Sequence, residues 1–332
     1  FDVDFVSALL SVGFYSRVCD PEVLVTNDTL PDQPTTRYPA HSGSMCDNVA
    51  ECGYIAHTAP TIDGGGGPGW SGFICVMPWQ TYLQYNDVRI IEKAYPAQTK
   101  LLRFWDRSVD AADGLVHNWG AGVEDPWTFL GDWLTPHGSE PSVTPEAALF
   151  NNCYILYCTR IVAKIAAILG KVDAANKYVR AATKLAAAIH AKFFVATPAV
   201  NPGLPHYLDS LQTHLTMALV AEVPPTPAIR EAVMATLRHE ILVNQAGHLD
   251  TGLHGTYFLT KLLTDTAYGA GFGGEDALVE TYALTPGHPG YVDLLNNGYV
   301  FFFLFLSSIT CFGGFGRSGN FSYSAGTRHG PR

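Results

Sequence analysis

Three tryptophans of this 332-residue chain lie in segments rich in glycine, proline and aspartate. Trp70 comes after the glycine run at residues 64–67, Trp127 follows an Asp-Pro pair, and Trp133 follows Asp132 directly. The face of an indole ring stacks on apolar C–H surface, and a carboxylate accepts hydrogen bonds from hydroxyl groups. Binding residues concentrate in loops on a rigid scaffold. We therefore predict that these loops form a saccharide site, with Trp70, Asp132 and Trp133 as contacts.

Each of these residues also has a purely structural reading. Trp70 could be a packed anchor of its own loop, and Asp132 could close an Asx-turn beside its glycine. Glu124 and Asp125 are candidates for acidic catalysis, but a solvated loop edge accounts for them as well. The glycine run lacks the Lys-Ser/Thr that a phosphate-binding loop needs, so we exclude that function for it.

The segment at residues 248–254 carries two histidines and an aspartate. Its spacing matches no standard zinc set, so we expect neither a metal nor another cofactor. Instead, Asp250 is predicted to be the N-cap of a helix that begins near Gly252. His254 lies one turn into that helix and is a further candidate for the saccharide site.

The scaffold between these segments is predicted to be helical. Apolar residues recur at helical spacing, strand signals are scarce, and Thr144-Pro145 is a typical helix start. Two long loops, residues 20–69 and 110–142, follow helices of similar direction and are predicted to open on one rim. This pattern indicates an all-α protein, a closed α/α barrel or toroid of helical hairpins. The predicted helices span residues 88–109, 144–169, 172–193, 211–220, 227–243, 252–263 and 275–284.

Composition excludes several function classes. The net charge of −10 and the lack of a basic stripe argue against nucleic-acid binding, which rests on phosphate neutralisation. The apolar run at residues 300–306 is much too short for a membrane span. Residues 1–18 read as a helix already under way, which predicts a piece of a larger protein. Residues 300–332 have no periodicity, and we expect this tail to be disordered or foreign to the fold formed by residues 1–299.

Taken in chain order, several segments resemble the six-hairpin catalytic domain of the α-L-rhamnosidases, glycoside hydrolase family 78. The resemblance covers about residues 1–299, and the ordered set is more specific than any single piece. One departure is Gly72, where the family usually has aspartate. The matching segments are Gly-Gly-Pro-Gly-Trp at 66–70, Val-Met-Pro-Trp at 76–79, Tyr-Asn-Asp at 85–87, Gly-Asp-Trp at 131–133, Gln-Thr-His-Leu at 212–215 and His-Leu-Asp-Thr-Gly at 248–252.

The resemblance implies an inverting glycosidase that removes terminal α-L-rhamnosyl groups from a small molecule or oligosaccharide. Such an enzyme needs one carboxyl group as acid and a second as base, about 6.5–9.5 Å apart. The family's acid motif would precede the first helix of this chain, and its base would lie near Leu304, where the sequence is Val-Phe-Phe-Phe-Leu. Neither catalytic residue can be named. The resemblance leaves Trp70, Asp132, Trp133 and His254 as substrate-binding residues.

The leading hypothesis is thus part of an α-L-rhamnosidase catalytic domain that is inactive by itself. A non-catalytic carbohydrate-binding α/α-barrel protein is a second hypothesis, distinguished by whether the intact gene restores both acidic motifs. A different α/α-barrel glycosidase is the third, distinguished by turnover of other aryl glycosides.

Overall fold

The computed structural model describes residue 53 and residues 66–117, 129–138, 144–198, 203–264 and 275–297. Trp127, Glu124 and Asp125, the opening segment 1–18 and the tail 300–332 lie outside the described residues. Two compact units divide the chain, Phe1–Asp293 and Leu294–Arg332. The elements that carry the candidate site all belong to the first unit.

Helices dominate the described residues. The named strands among these residues form one short antiparallel pair, in which Phe194 is opposite Tyr207. In chain order the elements are α1 (Pro68–Ser71), α2 (Phe73–Tyr85), α3 (Val88–Arg107), α4 (Pro145–Ile168), α5 (Val172–Phe193), β1 (Phe194–Val195), β2 (His206–Tyr207), α6 (Gln212–Val220), α7 (Pro227–His239) with a π-helical turn at Glu240–Asn244, α8 (Leu253–Thr264), α9 (Asp276–Leu284) and α10 (Tyr291–Asn296).

Local sequence signals fix the starts of α4 and α7. Thr144 caps α4 by accepting a hydrogen bond from the backbone N–H of Ala147, with Pro145 at the first helical position. Thr226 caps α7 in the same way. The start predicted at Thr144 is therefore confirmed. The other predicted helices lie within a few residues of their predicted bounds.

The described helices form two layers. α2, α4, α6 and α8 pack against one another in sequence, and α3, α5, α7 and α9 each pack on the outside of a member of that set. Burial follows this arrangement, because 18 of the 24 residues of α4 and eight of the nine residues of α6 are buried. α5 buries a single stripe, as expected of an outer helix. This pairing of inner and outer helices confirms the predicted α/α toroid.

The region before Trp79 differs from the sequence prediction. Trp70 lies in the short helix α1 rather than in an open loop, and α2 begins at Phe73. The helix α1 was not predicted because residues 66–69 are glycine and proline, and α2 was not predicted because it contains Pro78. The proline is tolerated in α2 although it removes one backbone donor. No helix among the described residues combines the length and the apolar character that a membrane crossing requires.

Candidate functional site

Asp132 is the centre of the candidate site, and its carboxylate is completely buried. Its oxygens accept hydrogen bonds from the next residue and from two segments that are distant in sequence. The donors are the backbone N–H of Trp133 at 3.0 Å, Gly252 at 2.7 Å, His254 at 3.0 Å and Gly255 at 3.2 Å, and the hydroxyl of Thr213 at 2.6 Å. A buried carboxylate is stable only with such compensation, so the loop, α6 and α8 are tied together at this point.

Asp132 also performs the capping role that the sequence assigned to Asp250. Three of its donors are the free N–H groups of the first turn of α8, where the helix dipole favours a negative charge. Asp250 instead accepts a hydrogen bond from the backbone N–H of Gln212, at the start of α6. The prediction of Asp250 as N-cap of α8 is therefore wrong, because that end of the helix is closed by a residue 120 positions earlier.

Glycine is required where Asp132 meets α8. A Cβ atom on Gly252 would overlap the carbonyl oxygen of Trp133 and lie 2.8 Å from Asp132 Oδ1. A Cβ atom on Gly255 would overlap the Thr213 hydroxyl and lie 2.5 Å from Asp132 Oδ2. The backbone of Trp133 is held here as well, since its carbonyl accepts from the N–H of Leu253 at 2.8 Å. Close approach of two backbones thus explains both glycines.

Trp70 reaches the same place from the other tryptophan segment. Its ring, which is partly exposed, makes an edge-to-face contact with the His254 ring at 4.7 Å between centroids. The Nε2 atom of His254 lies 3.2 Å from the carbonyl oxygen of Gly69, the residue before Trp70. The four residues predicted for the site, Trp70, Asp132, Trp133 and His254, therefore meet at the N-terminus of α8. Their role in substrate binding stays a prediction.

Two buried asparagines of α4 hold the segments around the site, and the sequence analysis missed them. The side-chain amide of Asn151 donates to the carbonyl of Leu130 at 2.9 Å, and Asn152 exchanges two hydrogen bonds with the backbone of Val116. The N–H of Leu130 in turn donates to the carbonyl of Gly66 at 2.7 Å. An Asn-Asn pair inside an otherwise apolar helix was the available signal, since buried amides need partners.

A second buried carboxylate lies beside the site. Asp250 is 3% exposed, and its Oδ2 atom has no hydrogen-bond partner among the described residues. Burial, and then the negative charge of Glu240, raise the pKa of Asp250 to about 7. The carboxyl group thus keeps its proton to a much higher pH than an exposed aspartate does.

Replacing Asp250 by asparagine should stabilise the protein at alkaline pH. A group whose pKa is higher in the folded state than its usual 3.8 lowers stability as the pH rises from about 4 to about 7. Above pH 7 the full cost is present, and the neutral Asp250→Asn variant avoids it while keeping an oxygen for the Gln212 N–H. We expect a gain of about 2–4 kcal/mol in unfolding free energy at pH 8 and little gain at pH 4. Denaturant unfolding at both pH values measures this, with the exposed Asp106→Asn as control. An equal effect at both pH values would contradict the raised pKa.

The described residues contain one group of side chains with metal-ligand spacing, Asp110, Asp113 and His117, whose ligand atoms lie within 4.8 Å of one another. His117 Nε2 already lies 2.9 Å from Asp113 Oδ2, and Lys192 Nζ lies 3.5 Å from the same oxygen. The group is thus a hydrogen-bonded cluster that also contains the Lys192–Asp113 ion pair. His248 and His254, the histidines of the rejected zinc motif, lie instead near the carbonyls of Pro289 and Gly69.

Comparison with known proteins identifies the family to which this chain belongs. The model of the bacterial alpha-L-rhamnosidase 6 hairpin glycosidase domain matches residues 35–299, most of the chain. The chain belongs to this family. The α-L-rhamnosidase domain match includes every segment that converges on Asp132, so the resemblance read from the sequence is confirmed.

Individual relatives agree. The alpha-L-rhamnosidase of Alteromonas sp. (strain LOR) is 23% identical over 267 residues, which is 78% of this chain and 26% of that protein. The alpha-L-rhamnosidase structure from Dictyoglumus thermophilum has a TM-score of 0.56 and 25% identity, covering 70% of this chain and 24% of that one. The Streptomyces avermitilis alpha-L-rhamnosidase, solved with L-rhamnose, has a TM-score of 0.58 and 23% identity over 74% of this chain and 21% of that one. The chain spans about a quarter of the length of these relatives.

The rhamnosidase motifs are explained by the contacts around Asp132. The Gly-Asp-Trp motif supplies the buried carboxylate, Gln-Thr at 212–213 supplies the hydroxyl donor, and Thr-Gly-x-x-Gly at 251–255 supplies the helix end. The departure at Gly72 also has a structural cause. A Cβ atom there would lie 2.6 Å from the Tyr154 ring and 2.9 Å from Cys158 Sγ, so no side chain fits.

Proposed function

We propose that this chain is the saccharide-binding part of a glycosidase that hydrolyses terminal α-L-rhamnosyl linkages. One observation carries the proposal: two tryptophan segments of a rhamnosidase-family domain meet at one helix end, through Asp132 and His254. Trp70 and Trp133 are both partly exposed, so each keeps ring surface that can stack on the apolar face of a sugar. That the Streptomyces avermitilis relative was solved with L-rhamnose supports this choice of sugar.

Within the proposal the tryptophans and the aspartate have different parts. Trp70 and Trp133 are the stacking walls. Asp132 orders the rim, because both of its oxygens accept hydrogen bonds from the protein. In the intact parent, an inverting reaction would use one carboxylic acid to protonate the leaving oxygen and a second carboxylate to activate water. We infer from the resemblance that these 332 residues contain neither acidic motif, and we expect them to bind rhamnose without hydrolysing rhamnosides.

Removing either indole should weaken rhamnose binding by tenfold or more, a loss of about 1.4 kcal/mol or greater. Calorimetric titration of the 332-residue chain with L-rhamnose, and of its Trp70→Ala and Trp133→Ala variants, measures this. Tyr85→Ala is the matched control, because Tyr85 is an aromatic residue that is 50% exposed and lies at the end of α2. Unchanged affinity for rhamnose in both tryptophan variants would contradict the proposed stacking role of Trp70 and Trp133.

Hydrolysis is tested separately. Loss of an acid/base pair removes about 10²–10⁴ in rate for each group, so the chain should release no aryl group from an aryl α-L-rhamnoside above a blank. Turnover by this chain would overturn the missing-carboxylate argument. Restoring both motifs in a longer protein should restore turnover, whereas rhamnose binding without turnover in that longer protein would favour the non-catalytic carbohydrate-binding protein.

A further inference from the structure

We propose that His254 is a positioning residue that links the two tryptophan segments. Through this link, a substitution at Asp132 changes the position of the Trp70 ring. In this assignment His254 orients the sugar-binding walls without touching the sugar itself. The inference deepens the proposed function and rests on it for the identity of the ligand. The link itself is a property of the protein without ligand.

The side chain of His254 holds the Trp70 segment. A carbonyl oxygen can only accept, so the 3.2 Å contact with Gly69 places a proton on Nε2 and fixes the tautomer of the imidazole. The ring makes edge-to-face contacts with Trp70 at 4.7 Å, Phe150 at 5.4 Å and Tyr154 at 6.1 Å. Such contacts between rings contribute about 0.5–1.5 kcal/mol each beyond buried area. The imidazole therefore fixes both the backbone before Trp70 and one edge of its indole.

The backbone of His254 holds the other segment. Its N–H donates to Asp132 Oδ1 at 3.0 Å, and the preceding N–H, of Leu253, donates to the carbonyl of Trp133. Moreover, His254 Nδ1 lies 4.0 Å from Asp132 Oδ1. A single residue thus contacts both tryptophan segments, which are about 60 residues apart in the sequence.

The environment of the ring argues against direct sugar contact. In the neutral ring, the single N–H, on Nε2, donates to the carbonyl of Gly69. The other nitrogen, Nδ1, is buried and faces Asp132. Burial lowers the pKa of His254, although the nearby negative charge of Asp132 opposes the shift. The neutral ring therefore prevails at pH 7, with Asp132 from its loop and Tyr154 from α4 as the titratable groups in contact with it.

The link is tested first in the protein without ligand. His254→Phe keeps a ring but loses the donor to Gly69, whereas His254→Gln keeps an N–H donor at similar reach. Subtracting the emission of the matching Trp70→Phe protein isolates the fluorescence of Trp70. We expect iodide to quench Trp70 at least twofold more in His254→Phe, and His254→Gln to restore the original quenching. His288→Gln is the control, because the His288 side chain is 75% exposed.

A double-mutant cycle then tests passage through His254. Asp132→Asn should change the quenching of Trp70 when His254 is present and have no further effect in the His254→Phe background. Equal quenching of Trp70 in wild type, His254→Phe and Asp132→Asn would overturn the proposal. So would a failure of His254→Gln to restore the signal while its melting temperature matches the wild type, since His254 would then be a packing residue.

Rhamnose titration separates the link from the proposed function. If both hold, His254→Phe binds rhamnose about tenfold more weakly and His254→Gln within about twofold of wild type. If His254→Phe changes neither the affinity for rhamnose nor the quenching of Trp70, the link is overturned and the proposed function stands. If no variant binds rhamnose but the quenching of Trp70 changes as predicted, the proposed function is overturned and the link stands.

Discussion

Asp132→Ala is expected to lower the free energy of unfolding by about 3–5 kcal/mol, the largest effect among these predictions. The substitution leaves the N–H groups of Gly252, His254 and Gly255 without their acceptor at the start of α8, together with the Thr213 hydroxyl. Buried donors without partners cost about 1–3 kcal/mol each, and loss of an N-cap alone costs about 1 kcal/mol. Rearrangement of the loop should recover part of this loss.

Thermal and denaturant unfolding measure the Asp132 effect, and a loss of about 4 kcal/mol corresponds to a fall of about 6 °C in Tm for a chain of this length. Asp106→Ala is the control, since it removes the same charge from an exposed position on α3 and should stay within about 0.5 kcal/mol of wild type. Asp132→Asn should fall between the two, because the amide keeps one acceptor oxygen. An Asp132→Ala protein as stable as Asp106→Ala would show that the carboxylate does not hold the loop to α8.

Gly255→Ala is expected to give the second largest effect, a loss of about 2–4 kcal/mol. Alanine inside a helix normally stabilises by about 1 kcal/mol relative to glycine, so the expected sign is opposite to the usual one. The reason is the overlap of the new methyl group with the Thr213 hydroxyl and its 2.5 Å approach to Asp132 Oδ2. Both neighbours are buried and hydrogen-bonded to each other, and neither can move without breaking that bond.

Denaturant unfolding of Gly255→Ala should be compared with Gly138→Ala. A Cβ atom at Gly138 meets nothing within 4 Å, although the φ of +104° there is unfavourable for alanine. That variant isolates a backbone cost of about 1–2 kcal/mol without a collision. The Thr213→Ala/Gly255→Ala double variant should recover part of the loss by making room for the methyl group. A stabilised Gly255→Ala protein would mean that α8 does not approach Asp132 this closely.

The candidate site illustrates how far local sequence signals extend. Trp70, Asp132, Trp133 and His254 could be selected because they break the ordinary alternation of helix and turn, and the structure brings all four to one helix end. Their individual parts could not be assigned in the same way. Asp250 lies just before α8 in the sequence, whereas Asp132, from a distant segment, accepts the hydrogen bonds at that helix end. A cap supplied from another segment leaves no pattern near the helix it closes.

Residues that support the site were harder to find than residues within it. Thr213 reads as an ordinary residue of a buried helix, and its hydroxyl is essential only because Asp132 Oδ2 lies 2.6 Å away. Asn151 and Asn152 stand out as polar residues in an apolar helix, but the sequence does not say which carbonyls they bind. Trp70 was predicted in a loop because glycine and proline disfavour helices, yet packing against α4 stabilises the single turn of α1.

The sequence alone determined the helical class, most helix bounds and the rhamnosidase family, because apolar spacing, caps and ordered motifs are local properties of the chain. Only the tertiary structure decided that Asp132 closes α8, that Gly252 and Gly255 must lack side chains, and that Asp250 is buried without a partner for one oxygen among the described residues. Each of these depends on distances between segments far apart in sequence. Hydrogen bonding and steric exclusion act over a few ångströms, so they are set by packing and not by the order of residues.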